Sequence, residues 1–271
     1  MPIQICSTCG TSYPDTSAPP AHCLICDDER QFVPAGGQAW TTPRRLAGGH
    51  VNAWRRLETD LFEIHTNPGF GIGQRALLLR TPEGNILWDC IALLDDATEA
   101  LIRALGGLRA IAISHPHYYT CMQDWARCFD CPVHLHAADT SWIMRPDSAI
   151  RHWDGETLEI AQGVTLLRLG GHFPGGSVLH WADGAGGRGA LLSGDIVQVA
   201  ADLSRVSFLW SYPNMLPLSA ATVRRIADTL APWEFERIYG AFPGRQVTAG
   251  GARAVARSAA RYIELLEGSQ P

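Results

Sequence analysis

The sequence has no long apolar run and no excess of positive charge, and each absence limits what the protein can do. No apolar stretch in the 271 residues approaches the length of about 18 that a membrane helix needs, so we expect no membrane association. The chain has 22 Lys and Arg against 27 Asp and Glu, a net charge of −5, which disfavours nucleic acid as a partner. Charged residues make up 18% and hydrophobic residues 46%, which indicates a globular rather than a disordered chain.

The N-terminal sequence MPIQICSTCG also lacks the basic and apolar segments of a signal peptide, so we expect a cytoplasmic protein. Disulfides are rare in that reducing compartment. The eight cysteines are therefore predicted to bind metal or to stay as free thiols.

The first 40 residues have few apolar side chains but hold four of the eight cysteines. So short a segment cannot bury enough surface to fold without a bound metal ion or a disulfide to hold it together. Two Cys-x-x-Cys pairs are present, Cys6 with Cys9 and Cys23 with Cys26, and 13 residues separate them. Four thiolates at this spacing can surround one zinc ion, whose binding would replace the missing core. We predict a structural zinc domain over residues 1–40 and a second domain over 41–271, with unligated thiols or a redox pair as the alternatives.

The two cysteine pairs resemble those of a zinc ribbon or a rubredoxin-like knuckle. The resemblance implies a module that docks on a nucleic acid or on a protein. Asp27, Asp28 and Glu29 lie beside the second pair and would repel phosphates, so nucleic acid is the weaker expectation. A protein partner bound through the ribbon is the expectation that stays open.

After residue 57, short apolar runs alternate with helical patterns, which indicates an α/β layered domain. Residues 38–51 read as a linker or a wrapping segment. The predicted strands are 77–80, 86–88, 108–113, 132–135, 164–169, 177–181 and 190–192, and the predicted helices are 96–105, 121–129, 219–230 and 251–266.

Polar residues follow four of the predicted strands at the point where each strand ends. They are Asp89, the pair His115 and His117, His172, and Asp195. In open α/β sheets, ligands bind in the crevice beyond the strand ends, so these side chains are expected to converge on a metal. His115 and His117 are two apart in a segment predicted to be extended, which would turn both rings to the same side. The alternative for each histidine is a hydrogen-bonded structural role.

These residues resemble the motifs of the metallo-β-lactamase superfamily. The matching segments are Asp89, His-Pro-His at 115–117, Gly-His-Phe-Pro-Gly at 171–175 and Ser-Gly-Asp at 193–195. The resemblance covers about residues 57–245. It implies an α/β fold of four layers, an αβ/βα sandwich of two sheets with helices outside, joined here to a small N-terminal zinc ribbon of four cysteines.

The sequence departs from the family pattern at the ligands of the second metal. The family's acidic ligand and following histidine are replaced by Tyr119 and Thr120, and residues 238–243, IYGAFP, lack the last histidine. The resemblance therefore implies one active-site metal at most. His115, His117 and His172 would hold it, with Asp195 as a fourth ligand or as an orienting residue, and zinc is favoured over iron. Asp89 is expected to fix a loop rather than bind metal.

A metal held in this way could activate water, and the leading hypothesis is a mononuclear metallo-hydrolase acting on a small ester, thioester, lactone or phosphoester. Asp195 or Asp89 would then serve as the base and Tyr119 would hydrogen-bond the developing oxyanion. Loss of three ligands instead favours a non-catalytic binding protein that docks through its ribbon. A third hypothesis is an iron-dependent oxygenase with His115, His172 and Asp195 as its triad.

Overall fold

The computed structural model describes residues 3–268, and the chain divides into two compact units at Trp153 and Asp154. The predicted boundary near residue 40 stays a prediction. Within residues 3–268 no helix combines the length and the apolar composition that a membrane crossing requires.

The N-terminal end of the first unit is a small antiparallel sheet around the cysteines. Its strands are β1 (Ile3–Cys6), β2 (Ser12–Asp15) and β3 (Trp40–Thr41), in the order β2-β1-β3. The one-turn helix α1 (Leu24–Asp27) follows Cys23. The four cysteines form the centre of the core here, with Ile25 and Tyr13 packed around them. The expectation of a small cysteine-centred N-terminal module is therefore confirmed.

The segment predicted as a linker contains regular structure. Besides β3, it forms the short helix α2 (Pro43–Ala47). Thr42 begins this helix because its hydroxyl accepts a hydrogen bond from the Arg45 amide, and proline suits the first helical position.

The main part of the first unit is a seven-stranded mixed sheet. The strands are β4 (Val51–Glu58), β5 (Leu61–Asn67), β6 (Arg75–Leu79), β7 (Ile86–Trp88), β8 (Ala110–Ala112), β9 (Val133–His136) and β10 (Ile150–Trp153). They lie in the order β10-β9-β8-β7-β6-β5-β4. Strands β4 to β7 pair antiparallel, and strands β7 to β10 pair parallel.

Two helices connect the parallel strands of this sheet. Helix α3 (Asp96–Ala104) begins where the Asp95 carboxylate accepts a hydrogen bond from the Thr98 amide at 2.8 Å. Helix α4 (Met122–Phe129) buries one face along its whole length. Two 3-10 turns, Pro116–Tyr118 and Ala137–Trp142, follow β8 and β9.

The second unit contains a six-stranded mixed sheet, two two-stranded ribbons and three helices. The strands are β11 (Thr157–Ala161), β12 (Val164–Arg168), β13 (Ser177–Trp181), β14 (Ala190–Gly194), β15 (Gln198–Val199), β16 (Val206–Ser207), β17 (Leu209–Ser211), β18 (Leu216–Pro217), β19 (Arg237–Gly240) and β20 (Gln246–Val247). The helices are α5 (Gly184–Gly187), α6 (Ala220–Leu230) and α7 (Gly251–Leu266). The sheet has the order β11-β12-β13-β14-β19-β20. Its core joins the sheet to apolar faces of α6 and α7, through side chains such as Leu191, Ile226 and Val255.

The α/β class, with two mixed sheets, is as predicted. The bounds of β7, β13 and α7 match the prediction, and the other predicted elements differ from the structure by a few residues at their ends. Strands β4 and β5 are not predicted from the sequence, because β4 has the sequence VNAWRRLE, whose side chains do not alternate between apolar and polar.

Candidate metal centres

The four cysteines of the N-terminal module lie around one point. The sulfurs of Cys6 and Cys26 are 3.7 Å apart and those of Cys9 and Cys23 are 3.6 Å apart, and all four lie within 4.8 Å of one another. Four sulfurs bound tetrahedrally to zinc at about 2.3 Å would be about 3.8 Å apart. None of the eight cysteines is in a disulfide. The four-cysteine cluster predicted from the sequence is confirmed, and its spacing fits a zinc ion.

The electrostatics of the cluster favour a cation. Hydrogen bonds from the neighbouring thiols, that of Cys23 first, lower the pKa of Cys6. The pKa of Cys9 is raised, first by its hydrogen bonds to the thiols of Cys23 and Cys26 and then by burial. The thiolate form is thus favoured at Cys6 and disfavoured at Cys9. A divalent cation bound between the sulfurs would stabilise the thiolate form of both.

The second cluster contains the predicted histidines and one predicted aspartate. One ligand atom from each of His115, His117, His172 and Asp195 lies within 4.8 Å of the others, and all four side chains are buried. Their role as ligands stays a prediction, but the structure does bring them together. Three imidazoles with one carboxylate are a donor set that suits zinc and other divalent transition metals.

His115 and His117 are brought together by a turn and not by an extended strand. The sequence-based expectation of an extended segment is wrong here, because residues 116–118 form a 3-10 turn in which the Tyr118 amide donates to the carbonyl of His115. Pro116 suits the first position of this turn, since its φ is fixed and it has no amide hydrogen to satisfy. The two imidazole centroids are 5.0 Å apart.

Asp89 fixes the segment that carries His115. Its carboxylate accepts a hydrogen bond from the amide of Ser114 at 2.8 Å, and its own amide donates to the carbonyl of Ala112. The hydroxyl of Ser114 lies 2.8 Å from Nδ1 of His115. Asp89 has φ +58°, a left-handed conformation that Asp tolerates better than most residues. Asp89 is not part of the four-residue cluster, and its contribution to catalysis stays a prediction.

His172 and Asp195 are oriented by their own neighbours. Nδ1 of His172 donates to the carbonyl of Trp210 at 2.7 Å, so the lone pair of this ring is on Nε2. The amide of Gln198 donates to the Asp195 carboxylate at 3.3 Å, and the phenol of Tyr212 donates to the Asp195 carbonyl at 2.6 Å. These contacts fix the direction of both potential ligands, as partners of metal ligands commonly do.

Tyr119 and Thr120 lie where the resemblance predicts ligands of a second metal, and both are buried. Tyr119 is 4% exposed, and burial together with the charge of Asp139 raises the pKa of its phenol, which therefore stays protonated at neutral pH. Thr120 follows with φ +33°, and its carbonyl accepts hydrogen bonds from both the amide and the hydroxyl of Ser12. Neither side chain supplies the carboxylate or imidazole that a second metal would need.

Sequence reasoning missed one contact of the second cluster. The side-chain amide nitrogen of Gln31 lies 3.4 Å from Nδ1 of His117, and both side chains are buried. The two residues are 86 apart in the chain, and a lone glutamine in a polar segment has no pattern that predicts such a contact.

Comparison with known proteins finds a relative that aligns with almost the whole chain, and solved structures that share its fold. No family model matches the chain. The Bacillus subtilis (strain 168) protein named "Uncharacterized protein YmaE" is 47% identical over 268 residues, which cover 98% of this chain and 97% of that protein. The DIM-1 metallo-β-lactamase structure has a TM-score of 0.59 and 15% identity, covering 81% of this chain and 98% of DIM-1.

A second metallo-β-lactamase, SMB-1 in complex with mercaptoacetic acid, has a TM-score of 0.52 and 18% identity, covering 78% of this chain and 95% of SMB-1. At these identities the two solved structures show the fold alone. The predicted resemblance is confirmed at that level. The chain has the metallo-β-lactamase fold and belongs to the same family as YmaE of Bacillus subtilis.

Proposed function

We propose that the protein is a mononuclear metallo-hydrolase whose active-site metal is held by His115, His117, His172 and Asp195. The observation that carries the proposal is the convergence of their four ligand atoms within 4.8 Å in a buried position. The absence of a carboxylate at Tyr119 and of an imidazole at Thr120 supports one metal rather than two.

A zinc ion bound to these side chains would polarise a substrate oxygen and lower the pKa of a water molecule to about 7. The surrounding residues have separate tasks. Asp195 can accept a proton through the carboxylate oxygen not engaged as a ligand. Tyr119 keeps its proton because its pKa is raised, so its phenol can donate a hydrogen bond to a developing oxyanion. Asp89 holds Ser114, and through it the ring of His115.

The proposed substrate is a small molecule with an ester, thioester, lactone or phosphoester bond, because these bonds are cleaved by attack of an activated water at a polarised centre. We also propose the cytoplasm as its location, supported by eight cysteines that form no disulfide. A protein partner for the N-terminal module stays an expectation from the sequence.

A non-catalytic binding protein is the second candidate. Burial of Tyr119 and Thr120 at positions where the family carries ligands favours it, since such replacement is one way in which a fold loses its chemistry.

The test combines metal content with turnover. Protein purified without added metal would be examined by elemental analysis and assayed with chromogenic substrates of the four bond classes. We expect close to two zinc ions per chain and hydrolysis of one class. His172→Ala should lose one zinc and about a hundredfold or more in turnover. His152→Ala should lose neither, since this exposed histidine is outside both clusters.

Other results would overturn the proposal in different ways. A second metal without turnover in any class would favour the binding protein. Iron in place of the second zinc, with oxygen consumption, would favour the oxygenase. A single metal that is insensitive to His172→Ala would mean that the histidine cluster is structural.

A further inference from the structure

The outer face of helix α7 carries one regular row of exposed side chains. The inner face of this helix is packed into the core of the second unit, through residues such as Val255 and Ala259. On the opposite face, five exposed residues follow one another at intervals of three or four positions, which places them on one side of the helix. We call them the α7 row: Arg253, Arg257, Ala260, Glu264 and Glu267, the last of which directly follows the final helical residue.

The charges of the α7 row are separated along the helix. Both arginines lie in its first half and both glutamates at its end, and the helix has no acidic residue in its first turn and no basic residue in its last turn. The helix dipole favours the opposite order, because it is positive at the N-terminus and negative at the C-terminus. The helix by itself therefore gives no reason for this distribution of charge.

The two glutamates have only weak partners within the chain. Glu264 pairs with Arg261 at 3.2 Å and Glu267 pairs with Arg224 at 3.2 Å, and all four side chains are about half exposed. Exposed ion pairs contribute little to stability. Both carboxylates can therefore exchange these partners for others at little cost.

The two arginines keep their charge for an acidic partner. The guanidinium of Arg257 donates to the carbonyl of Ser204 at 2.6 Å, and that of Arg253 lies beside Gly250. Neither of these contacts is with a carboxylate, so neither neutralises the guanidinium.

The α7 row is complementary to itself when a second copy runs in the opposite direction. With Ala260 at a two-fold axis, Arg253 faces Glu267 of the second copy and Arg257 faces its Glu264, because each pair is spaced almost evenly about residue 260. Two-fold symmetry makes each ion pair occur twice. The dipoles of two antiparallel helices also attract each other, so the pairing offsets the unfavourable order of charges.

Small side chains allow two such helices to approach closely. Ala252, Ala256 and Ala260 are exposed, and all lie on or beside the row. Helices pack at interaxial distances of about 8–10 Å, depending on the side chains at the contact, and alanine permits the lower values. The longer arginine and glutamate side chains then reach across to the second helix.

We propose that the α7 row is the interface of a homodimer, in which α7 of one copy lies antiparallel to α7 of the other with Ala260 at the two-fold axis. One helix pair gives an interface of the small size that is typical of weak complexes, so we expect association at micromolar concentrations. This inference goes beyond the proposed function, and it does not depend on a metal at either cluster.

The first test is the mass of the protein in solution, measured by sedimentation velocity over a range of protein concentrations. The wild type should form dimers at low salt. It should return to single chains at about 1 M salt, where ion pairs at a surface are screened.

Charge reversal tests which residues form the interface. The double variant Arg253→Glu with Arg257→Glu places only glutamates at the charged positions, and Glu264→Arg with Glu267→Arg places only arginines there. Each variant alone should be a monomer, because like charges then face each other. An equimolar mixture of the two should associate again, since each variant now complements the other. Restored association also shows that both variants are folded.

Arg44→Glu with Arg45→Glu is the matched control, because it changes the net charge equally at two exposed arginines of α2, outside the row. It should dimerise like the wild type. Both clusters should keep their metal content in every variant, so a failure of this inference is distinguishable from a failure of the proposed function.

The register is tested with Ala260→Cys under mild oxidation. Two cysteines at the two-fold axis should form a disulfide between chains, which requires Cα atoms within about 7 Å. Ala252→Cys is the control, because its two copies would be about 24 Å apart at a helical rise of 1.5 Å per residue. Mass spectrometry of the linked peptides distinguishes this disulfide from one formed by the native cysteines.

Three results would overturn the inference. A monomeric wild type at low salt and high concentration would exclude the dimer. Dimers that persist in both charge-reversed variants, or a mixture that does not associate, would place the interface elsewhere. A monomeric wild type that binds a short DNA duplex through the two arginines would assign the row to a phosphate backbone instead of a second copy.

Discussion

The two clusters differ in what assembles them. The four cysteines lie within the first 26 residues and form the centre of their own small core, so the module has little besides a metal to fold around. The histidine cluster draws on residues from 115 to 195, each placed by an element with its own apolar packing or hydrogen bonds. Metal binding in the first region would therefore be part of folding, whereas in the second region an already folded scaffold would present its side chains to the metal.

The largest expected effect follows from breaking the cysteine cluster. Structural zinc contributes about 10–16 kcal/mol of binding free energy in zinc-finger peptides, and it is coupled to folding. Cys23→Ser should therefore unfold the three-stranded sheet, with β1 and β2 losing protection of their amides against hydrogen exchange. The helix α7 of the second unit should keep its protection. The measurement is hydrogen–deuterium exchange followed by mass spectrometry.

Cys128→Ser is the matched control for this experiment, because Cys128 is half-buried and belongs to neither cluster. It should leave the exchange of β1 and β2 unchanged. Protected β1 and β2 amides in Cys23→Ser would contradict the comparison, since the module would then fold by its packing alone.

The two clusters also differ in how well the sequence predicts them, because one uses residues close in sequence and the other uses residues far apart. Both cysteine pairs were predictable because their ligands are close in sequence and have a recognisable spacing. His115, His172 and Asp195 were predictable because each follows an apolar run that ends a strand. Gln31 was not, because its partner is 86 residues away and nothing local distinguishes it from a surface glutamine.

The turn at residues 116–118 shows a second limit. His115 is extended, with φ −170°, but residues 116–118 form a 3-10 turn, so strand alternation is not what makes the two rings neighbours. The prediction gave two neighbouring rings for the wrong reason. The turn forms where the Tyr118 amide donates to the carbonyl of His115, a local contact that the ring of Pro116 favours. The Asp89 carboxylate also fixes Ser114, and this contact is tertiary. Alternation of residues in the sequence predicts neither of them.

The next largest effect tests whether the stability of the seven-stranded sheet comes from its own buried contacts rather than from metal binding. The side chain of Arg75 is fully buried in β6 and pairs with Glu63, which is 2% exposed. Arg75→Met would remove this guanidinium and leave the Glu63 carboxylate with two partly exposed partners, Arg55 and His65. Breaking a buried pair costs about 3–5 kcal/mol, so the midpoint of urea unfolding should fall clearly.

Arg80→Met is the control for Arg75→Met, because Arg80 comes directly after the same strand and its pair with Asp60 is about half exposed. A surface pair of this kind contributes at most about 1 kcal/mol. Zinc at the cysteines should be retained in both variants. Equal urea midpoints for the two variants would show that the buried pair adds nothing to this unit.

The smallest expected effect is on thiol reactivity, which distinguishes the four cluster cysteines from the cysteines outside the cluster. Burial, with the charge of Asp130, raises the pKa of Cys131 to about 12, and burial also raises that of Cys128. Only the thiolate reacts, so at pH 8 about one part in ten thousand of Cys131 is reactive. In the zinc-loaded protein, iodoacetamide should modify the more accessible Cys128 slowly, with a rate that rises about tenfold for each unit of pH below its pKa.

Removing zinc with a chelator should add the four cluster cysteines to the modified set, because they lose both their metal and the fold around it. Removing zinc from the histidine cluster alone, in His172→Ala, should expose none of them. Peptide mass spectrometry identifies the modified cysteines in each case. Modified cluster cysteines in His172→Ala would contradict the comparison, because the histidine-bound metal would then support the cysteine module.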